Sequence, residues 1–363
     1  MENESINVGL LFGGESPEHE VSIVSAKSVA RHLDSRLFQI VPIGIAKNGV
    51  WTVLGDPFTR LANGELPKRS NCPFLPLEKG GEQALAPDVM FNVVHGAGGE
   101  DGQIQGYLEL LKIPYTGAGR LASATAMDKW MAKCIWKSEG LPVTPFIAFS
   151  EETWKQNHKH LISQCLKMGL PLFVKPANAG SSIGIKKVKD DIDLQKAIDN
   201  AFLFDRRIIV EKGLDAREIE VAVLGGDDPI VSMPGEVIVA GEFYDFADKY
   251  LDGKSRTLVP SDLDDETAQK IRDMARMAFF SIDGYGLARV DFFVERKTNQ
   301  IFLNEINTIP GFTSISMFPK LIEYAGVSYQ DQLTRLIELA VARHKQMAAK
   351  QIGFESGNQW FRS

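Results

Sequence analysis

The sequence predicts a chain of mixed class, α/β at its start and α+β after that. Three observations carry this reading. Apolar strand-like runs alternate with amphipathic stretches over the first third, the pattern of a parallel sheet with crossover helices. From Pro145 to about Leu214 the order is strand, helix, strand, glycine-rich loop, strand, helix, strand, a unit too small for a doubly wound domain. The last third joins a strand of alternating apolar and acidic residues to a long helix and a hairpin.

Taken in order, Ile6 to Leu11 is an apolar run that ends in Gly13-Gly14. Ser16-Pro17 then reads as an N-cap with proline at the first helical position, opening a helix that runs to about Leu33. Phe38 to Ile45 and Asp88 to Val94 read as further strands, and Asp56 to Pro87, rich in Pro, Gly and Asn, as a long irregular excursion. Ile104, Leu108 and Leu111 stand at helical spacing within Gly102 to Leu111. A helix is expected over about Met127 to Glu139, stopped by Gly140-Leu-Pro. Glu218 to Leu224 reads as a strand, about Gly241 to Thr257 as an irregular polar loop, and Asp264 to about Ile282 as a helix. Leu287 to Glu295 and Ile301 to Asn307 form the hairpin, and helices follow. The domains expected are an N-terminal Rossmann-like parallel α/β domain over 1–125, a central unit over 126–214, a C-terminal unit over 215–350 and a frayed tail over 351–363.

Composition narrows the function. The chain has 363 residues, 44% hydrophobic and 24% charged, which is globular and long enough for two or three domains. Its 40 Lys+Arg against 47 Asp+Glu give a net charge of −7, against a protein that neutralises nucleic-acid phosphates. No apolar run approaches the roughly 20 residues that span a bilayer, and the first residues lack the cationic and apolar regions of a secretory signal. Cys72, Cys134 and Cys165 are odd in number and far apart, so neither a disulfide framework nor a cysteine-ligated metal is expected. The expectation is a cytoplasmic protein with no nucleic-acid or membrane partner.

Two motifs mislead. Gly180-Ser-Ser-Ile-Gly fits the G-x-S-x-G nucleophile elbow, but Ile185-Lys-Lys-Val continues as strand where a helix is required. Gly117-Ala-Gly-Arg-Leu-Ala fits G-x-G-x-x-A without the preceding strand or the acidic strand end of a dinucleotide site. No P-loop sequence exists.

The informative pairs sit on the hairpin. Arg289 and Asp291 are two apart, hence on one face of a strand, as are Glu305 and Asn307 on the next. Oxygen donors from Asp, Glu and Asn suit magnesium, and an arginine beside them suits an anion whose charge grows during reaction. Either pair alone fits an acidic edge strand with solvated charges; the two together, followed by Thr308-Ile-Pro-Gly-Phe-Thr-Ser, point to function. The cluster requires odd residues to pair with odd ones, and an even-residue turn without a bulge would split it. Lys175 ends the apolar strand Leu172-Phe-Val-Lys, where burial demands an anionic partner. The loop Asn178-Ala-Gly-Ser-Ser-Ile-Gly after it can wrap N–H groups and hydroxyls around a phosphate. Lys129, taken alone, reads as a solvated helix-opening lysine.

Lys175-Pro with its serine-glycine loop, Val210-Glu-Lys-Gly-Leu, Arg289-Val-Asp and Glu305-Ile-Asn resemble the ATP-grasp ligases. Phe12-Gly-Gly-Glu-Ser-Pro-Glu-His-Glu-Val-Ser, Val94-His-Gly with Gly99-Glu-Asp-Gly, and Tyr244-Asp-Phe-Ala-Asp-Lys-Tyr resemble, in order, the D-alanine–D-alanine ligase family. The resemblance spans nearly the whole chain and implies an ATP-grasp fold. It also implies ATP-dependent joining of two D-alanines through a D-alanyl phosphate, for peptidoglycan precursor synthesis. Lys129, Lys175, Ser181 and Ser182 would meet the ATP phosphates, Glu211 and Leu214 the adenine, and Glu218 the ribose. Asp291, Glu305 and Asn307 would bind two Mg2+ (or Mn2+) ions. Glu18 would take the ammonium of the first D-alanine with His95 nearby, and Arg289 and the Gly311 N–H would stabilise the oxyanion. Ser316 and the Met317 N–H would bind the second carboxylate. Lys249 and Tyr250 would belong to a closing lid, Tyr250 bonding Ser181 and Ser181 reaching Glu18. A homodimer through the N-terminal domain is expected. Tyr250 stands where D-lactate-using relatives tend to carry histidine, which favours D-alanine. The alternatives are D-lactate or another D-amino acid as second substrate, or a catalytically silent nucleotide-binding regulator.

Overall fold

A computed structural model describes residues 5–53, 56–66, 87–180, 183–238, 256–313 and 315–350. The first sheet has the order β3-β2-β1-β4, with β1 (Ile6–Gly13) parallel to β2 (Phe38–Ile45) and β4 (Val89–Asn92), and β3 (Trp51–Thr52) antiparallel at the edge. Val8, Leu10 and Phe12 on one face of β1 and Leu11 on the other are fully buried, the signature of a central parallel strand covered on both faces. Gly13 ends β1 at φ +93°, where a Cβ would stand 2.1 Å from the Ile45 carbonyl oxygen. Helix α1 (His19–His32) follows, then α2 (Pro57–Ala62) and α3 (Gln103–Leu110).

Local differences from expectation have local causes. Helix α1 begins at His19 because Ser16 is not its N-cap. The Ser16 hydroxyl accepts the Glu18 N–H at 3.2 Å and donates to the His95 carbonyl at 2.7 Å, holding 16–18 in a turn. Within the expected excursion, Asp56 caps α2 by accepting the Phe58 and Thr59 N–H groups; 67–86 lie outside the described residues. The helix expected over about 127–139 is α5 (Lys129–Ser138), and a helix not expected, α4 (Arg120–Met127), precedes it. Extended Asp128 separates them, caps the second through the Met131 N–H and pairs with Arg207.

A second, antiparallel sheet has the order β5-β8-β6-β7: β5 (Phe146–Ser150), β8 (Arg207–Lys212), β6 (Leu172–Pro176) and β7 (Lys186–Val188). Helices α6 (Glu151–Lys167) and α7 (Ile192–Ala201) cover it through Trp154, Leu161, Leu194 and Ile198. The third sheet, also antiparallel, runs β12 (Arg256–Leu258), β11 (Gly235–Ile238), β9 (Ala216–Gly225), β13 (Gly286–Glu295), β14 (Ile301–Asn307), with β10 (Ile230–Val231) on β9. One face, carrying Ile219, Val221, Val290 and Phe292, buries against Ile271, Ala275 and Phe279 of α8 (Asp265–Ser281) and Trp136 of α5. The other face is divided. Ala222, Leu224, Val237 and Leu287 pack with Phe318 and Leu321 of α9 (Met317–Tyr324) and Leu333 and Leu336 of α10 (Tyr329–Ala348). That core continues into Val8, Leu10, Phe12 and Phe91 of the first sheet, so the first and third sheets share one apolar interior. The remainder of the face carries charge.

Candidate active site

Pairing between β9, β13 and β14 builds the charged surface. Asp291 stands opposite Glu220 on one side and Glu305 on the other, and Arg289 stands opposite Asn307. Opposite residues share a face, so Glu218, Glu220, Arg289, Asp291, Glu305 and Asn307 project together. The hairpin turn leaves an odd–even ladder, Val294 opposite Ile301 and Phe292 opposite Leu303; a bulge at Asn304 then restores odd–odd pairing. Arg289 donates from Nε and Nη2 to the two Asp291 oxygens at 2.8 and 2.7 Å, and its Nε lies 3.2 Å from Glu220 Oε2. Asn307 Nδ2 donates to Asp291 Oδ2 at 2.9 Å. Burial opposes the guanidinium charge, but Asp291, Glu220 and Glu305 outweigh it and raise the Arg289 pKa. Four carboxylates thus share this face with one guanidinium. Among the described residues, no three His, Cys, Asp or Glu side chains converge as a ready metal cage. The donor set of Asp291, Glu305 and the Asn307 amide fits a hard cation, which would share Asp291 with Arg289.

Lysines approach from the central unit. Lys129, at the start of α5, is not solvated: its side chain is 10% exposed, donates to the Ala179 carbonyl at 2.8 Å and lies 3.7 Å from Glu305 Oε2. Lys133, one turn on, places Nζ 3.0 Å from Glu211 Oε1, while Lys175 donates to Glu211 Oε2 at 2.6 Å. Lys133, Lys175 and Glu211 are buried. Burial alone would raise the Glu211 pKa, yet the two lysines bring it down to about 2. Burial lowers the Lys133 pKa, with the positive Lys175 adding to it; for Lys175 the pull of Glu211 overcomes burial and the pKa rises. Leu214 sits half-buried in the connection from β8 to β9.

Three chain segments meet around Glu18. Its Oε2 lies 2.7 Å from where a Cβ on Gly96 would stand and 3.7 Å from one on Gly180. Gly96 has φ +75°, a conformation that favours glycine, and a side chain there would displace the Glu18 carboxylate. His95 before it is 2% exposed, with Nδ1 2.9 Å from the Ile309 carbonyl and Nε2 2.9 Å from Ser25 Oγ. Burial disfavours its charged form, but Glu100 and Glu18 raise its pKa; burial and Glu18 likewise raise the pKa of Glu100, which accepts the Gly96 N–H.

Gly311 lies after β14 in chain that is neither helix nor strand, a Cβ there lying 3.0 Å from Ser316 Oγ. Ser316 occupies the N-cap position of α9 without capping it. Its hydroxyl turns back to the Thr313 N–H (3.1 Å) and hydroxyl (2.8 Å), leaving the first turn of α9, from Met317, open to an anion.

One cleft of about 810 Å³ gathers Glu18, His95, Lys129, Arg289, Glu305, Asn307, Gly311, Ser316 and Met317. The Lys175–Glu211 pair, Leu214, Glu218 and Asp291 are not part of its lining; Ser181, Ser182, Lys249 and Tyr250 lie outside the described residues. Sequence reasoning missed Lys133, Glu100 and Glu220. The i, i+4 spacing from Lys129 and the Glu218–Glu220 alternation were signals for the first and last.

Comparison with known proteins gives the family. Residues 7–118 match the family model for the D-ala D-ala ligase N-terminus and residues 135–338 that for its C-terminus. A D-alanine–D-alanine ligase of Natranaerobius thermophilus is 44% identical over 354 residues, covering 94% of this chain and 97% of that protein. One of Caldicellulosiruptor bescii is 42% identical over 351 residues, covering 94% and 96%. The solved D-alanine–D-alanine ligase of Coxiella burnetii superposes with a TM-score of 0.81 at 34% identity, over 95% of this chain and 97% of that one. The fold is that of the ATP-grasp ligases, and the chain belongs to the D-alanine–D-alanine ligase family.

Proposed function

We propose that the chain joins two D-alanines into D-alanyl-D-alanine, using ATP and passing through D-alanyl phosphate, for peptidoglycan precursor synthesis. The observation that carries this is the single cleft in which Arg289, Glu305 and Asn307, with Asp291 bonded behind them, face Glu18 and the Gly311 segment. A carboxylate is a poor electrophile at neutral pH. Attack of its oxygen on the ATP γ-phosphorus releases ADP and leaves a mixed anhydride. The amine of the second D-alanine then forms the amide bond, loses a proton, and phosphate departs.

Each residue has a part in that sequence. Glu18 takes the first ammonium group, and His95, both ring nitrogens engaged by protein, holds the wall beside it. Lys129, Lys175, Ser181 and Ser182 receive the phosphates, Glu211 and Leu214 the adenine, and Glu218 the ribose. Arg289 and the Gly311 N–H stabilise the oxyanion, preorganised donors worth about 3–4 kcal/mol each. Ser316 and the Met317 N–H hold the second carboxylate at the open first turn of α9. Lys249 and Tyr250 belong to a lid that excludes water from the acyl phosphate. Asp291, Glu305 and Asn307 would hold two Mg2+ or Mn2+ ions, which neutralise charge on the transferring phosphoryl group. We assign 1–125, 126–214 and 215–350 as the three domains, and a homodimer through the first, in the cytoplasm.

Phosphate release is measured with ATP and magnesium, with and without D-alanine, and the product identified as a dipeptide. D-alanine-dependent release is expected; its absence would leave a nucleotide-binding protein without this chemistry.

A further inference from the structure

We propose that Ser25, on α1, is a positioning residue for the Gly311 N–H; the inference rests on the oxyanion role given to that N–H above. Ile309-Pro-Gly-Phe312 lies in neither helix nor strand, so no ladder fixes where the Gly311 amide points. Side chains must do so instead, and three of them hold the segment from both ends. His95 Nδ1 meets the Ile309 carbonyl at 2.9 Å before Gly311. After it, Ser25 Oγ accepts the Phe312 N–H at 3.4 Å, and the Tyr329 hydroxyl donates to the Phe312 carbonyl at 2.8 Å.

Ser25 is the member that joins the two ends. Fully buried, its hydroxyl lies 2.9 Å from His95 Nε2. With His95 carrying its proton on Nδ1, every group is satisfied in one direction. Nδ1–H donates to the Ile309 carbonyl, the Ser25 hydroxyl donates to Nε2, and its oxygen accepts the Phe312 N–H. One hydroxyl therefore ties both flanks of the Pro310-Gly311 dipeptide together. Ser28, one turn along the same helix, lies 3.2 Å from the Tyr329 hydroxyl, giving α1 a second hold. Burial pushes the Tyr329 pKa up to about 12, so it stays a neutral donor. The Phe312 ring is packed by Phe91, Phe318 and Tyr329, which keeps the anchor from rotating. Glu18 stands at the N-cap position of α1 and Ser25 lies about two turns on. A single rigid helix thus sets the spacing between the ammonium site and the oxyanion donor.

The test compares Ser25→Ala and Tyr329→Phe with wild type in D-alanine-dependent phosphate release, together with thermal unfolding and the affinity of a tetrahedral phosphinate dipeptide. Losing an oxyanion donor outright costs about 10²–10³ in kcat, so loosening one should cost roughly ten- to a hundredfold. Ser25→Ala should lower kcat by that factor, leave the KM for ATP within about twofold, and weaken the phosphinate in step with kcat. Tyr115→Phe, which removes a hydroxyl bonded to Glu109 and not to this segment, should change neither. Unchanged kcat in Ser25→Ala overturns the proposal, as does a loss that vanishes once activity is divided by the folded fraction. If Ser25→Ala does not fold, Tyr329→Phe decides: lowered kcat with unchanged ATP KM supports the clamp, and wild-type kcat overturns it. No release by the wild type would instead sink the functional reading.

Discussion

Replacing Lys133 by methionine keeps the reach of the side chain and removes one of the two cations on Glu211. Both residues are buried, with Lys133 1% and Glu211 2% exposed. Breaking a buried ion pair by deleting one partner costs about 3–5 kcal/mol. Two features place this variant below that range. Lys175 remains on the other carboxylate oxygen at 2.6 Å, and burial already holds the Lys133 pKa low, so its removal returns some desolvation energy. The Glu211 carboxyl gives a second measure. Held at about 2 rather than 4.5, it contributes roughly 3 kcal/mol, to which both lysines contribute. A loss of about 2 kcal/mol at pH 7 follows.

The pH dependence carries the sign. A carboxyl depressed on folding stabilises above its unfolded pKa of about 4.5 and loses that contribution as pH falls towards 2. In Lys133→Met the folded Glu211 titrates nearer its ordinary value. The gap between the two proteins should therefore be full above about pH 5 and clearly smaller at pH 3. Urea unfolding at several pH values measures it, and the KM for ATP should rise about tenfold as Glu211 loses its orientation. A gap that does not change with pH would refute the ion-pair account, and an unchanged KM would refute the adenine role.

Three further substitutions probe separate parts of the molecule. Glu305→Gln keeps shape and removes the charge opposite Asp291; turnover should fall at least about a hundredfold with the melting temperature unchanged, and near-normal turnover would remove Glu305 from the chemistry. Gly96→Ala puts a methyl 2.7 Å from Glu18 Oε2 at φ +75° and should raise the KM for the first D-alanine about tenfold; a wild-type KM would deny Glu18 its ammonium. Arg343→Met removes donors to the Gly117 carbonyl at 2.6 Å and the Tyr115 carbonyl at 2.9 Å, along with stacking on Tyr115 and Tyr285. Denaturant unfolding should show a loss of about 3 kcal/mol, with turnover per folded molecule kept; full stability would show that this junction between α10 and the first domain carries no load.

What the sequence reveals and what it hides divides by distance along the chain. Arg289 with Asp291 and Glu305 with Asn307 are visible because a strand returns to the same face every second residue. Glu220 is not, since its place beside Asp291 depends on pairing between β9 and β13, which the chain order leaves open. The part of Asp128 hides for another reason: the Arg207 that pairs with its carboxylate lies 79 residues away. Lys129 reads as solvated on its own helix and becomes a site residue only because the loop at Ala179 folds over it. Ser25 resembles an ordinary helix serine until Phe312 arrives from 287 residues on.

The hairpin shows how packing and chemistry settle one register. Continued without interruption, the ladder near its turn would set Asp291 opposite Asn304 and Arg289 opposite Ile306. Glu305 and Asn307 would then point into the core under α8. Ile306 would lose a burial worth about 2–3 kcal/mol, and an ionised carboxylate would enter an apolar interior at a cost of several more. The extra residue at Asn304 avoids both. Leu303 and Ile306, of opposite parity, lie in the same core, 0% and 4% exposed, which only a bulge allows on one strand. On β13 the core residues Ala288, Val290, Phe292 and Val294 keep strict alternation. The irregularity therefore belongs to β14 alone, where it turns Glu305 and Asn307 towards Asp291. The same pressure that buries two aliphatic side chains assembles the oxygen donors, so the site gains its geometry from the core and not at its expense.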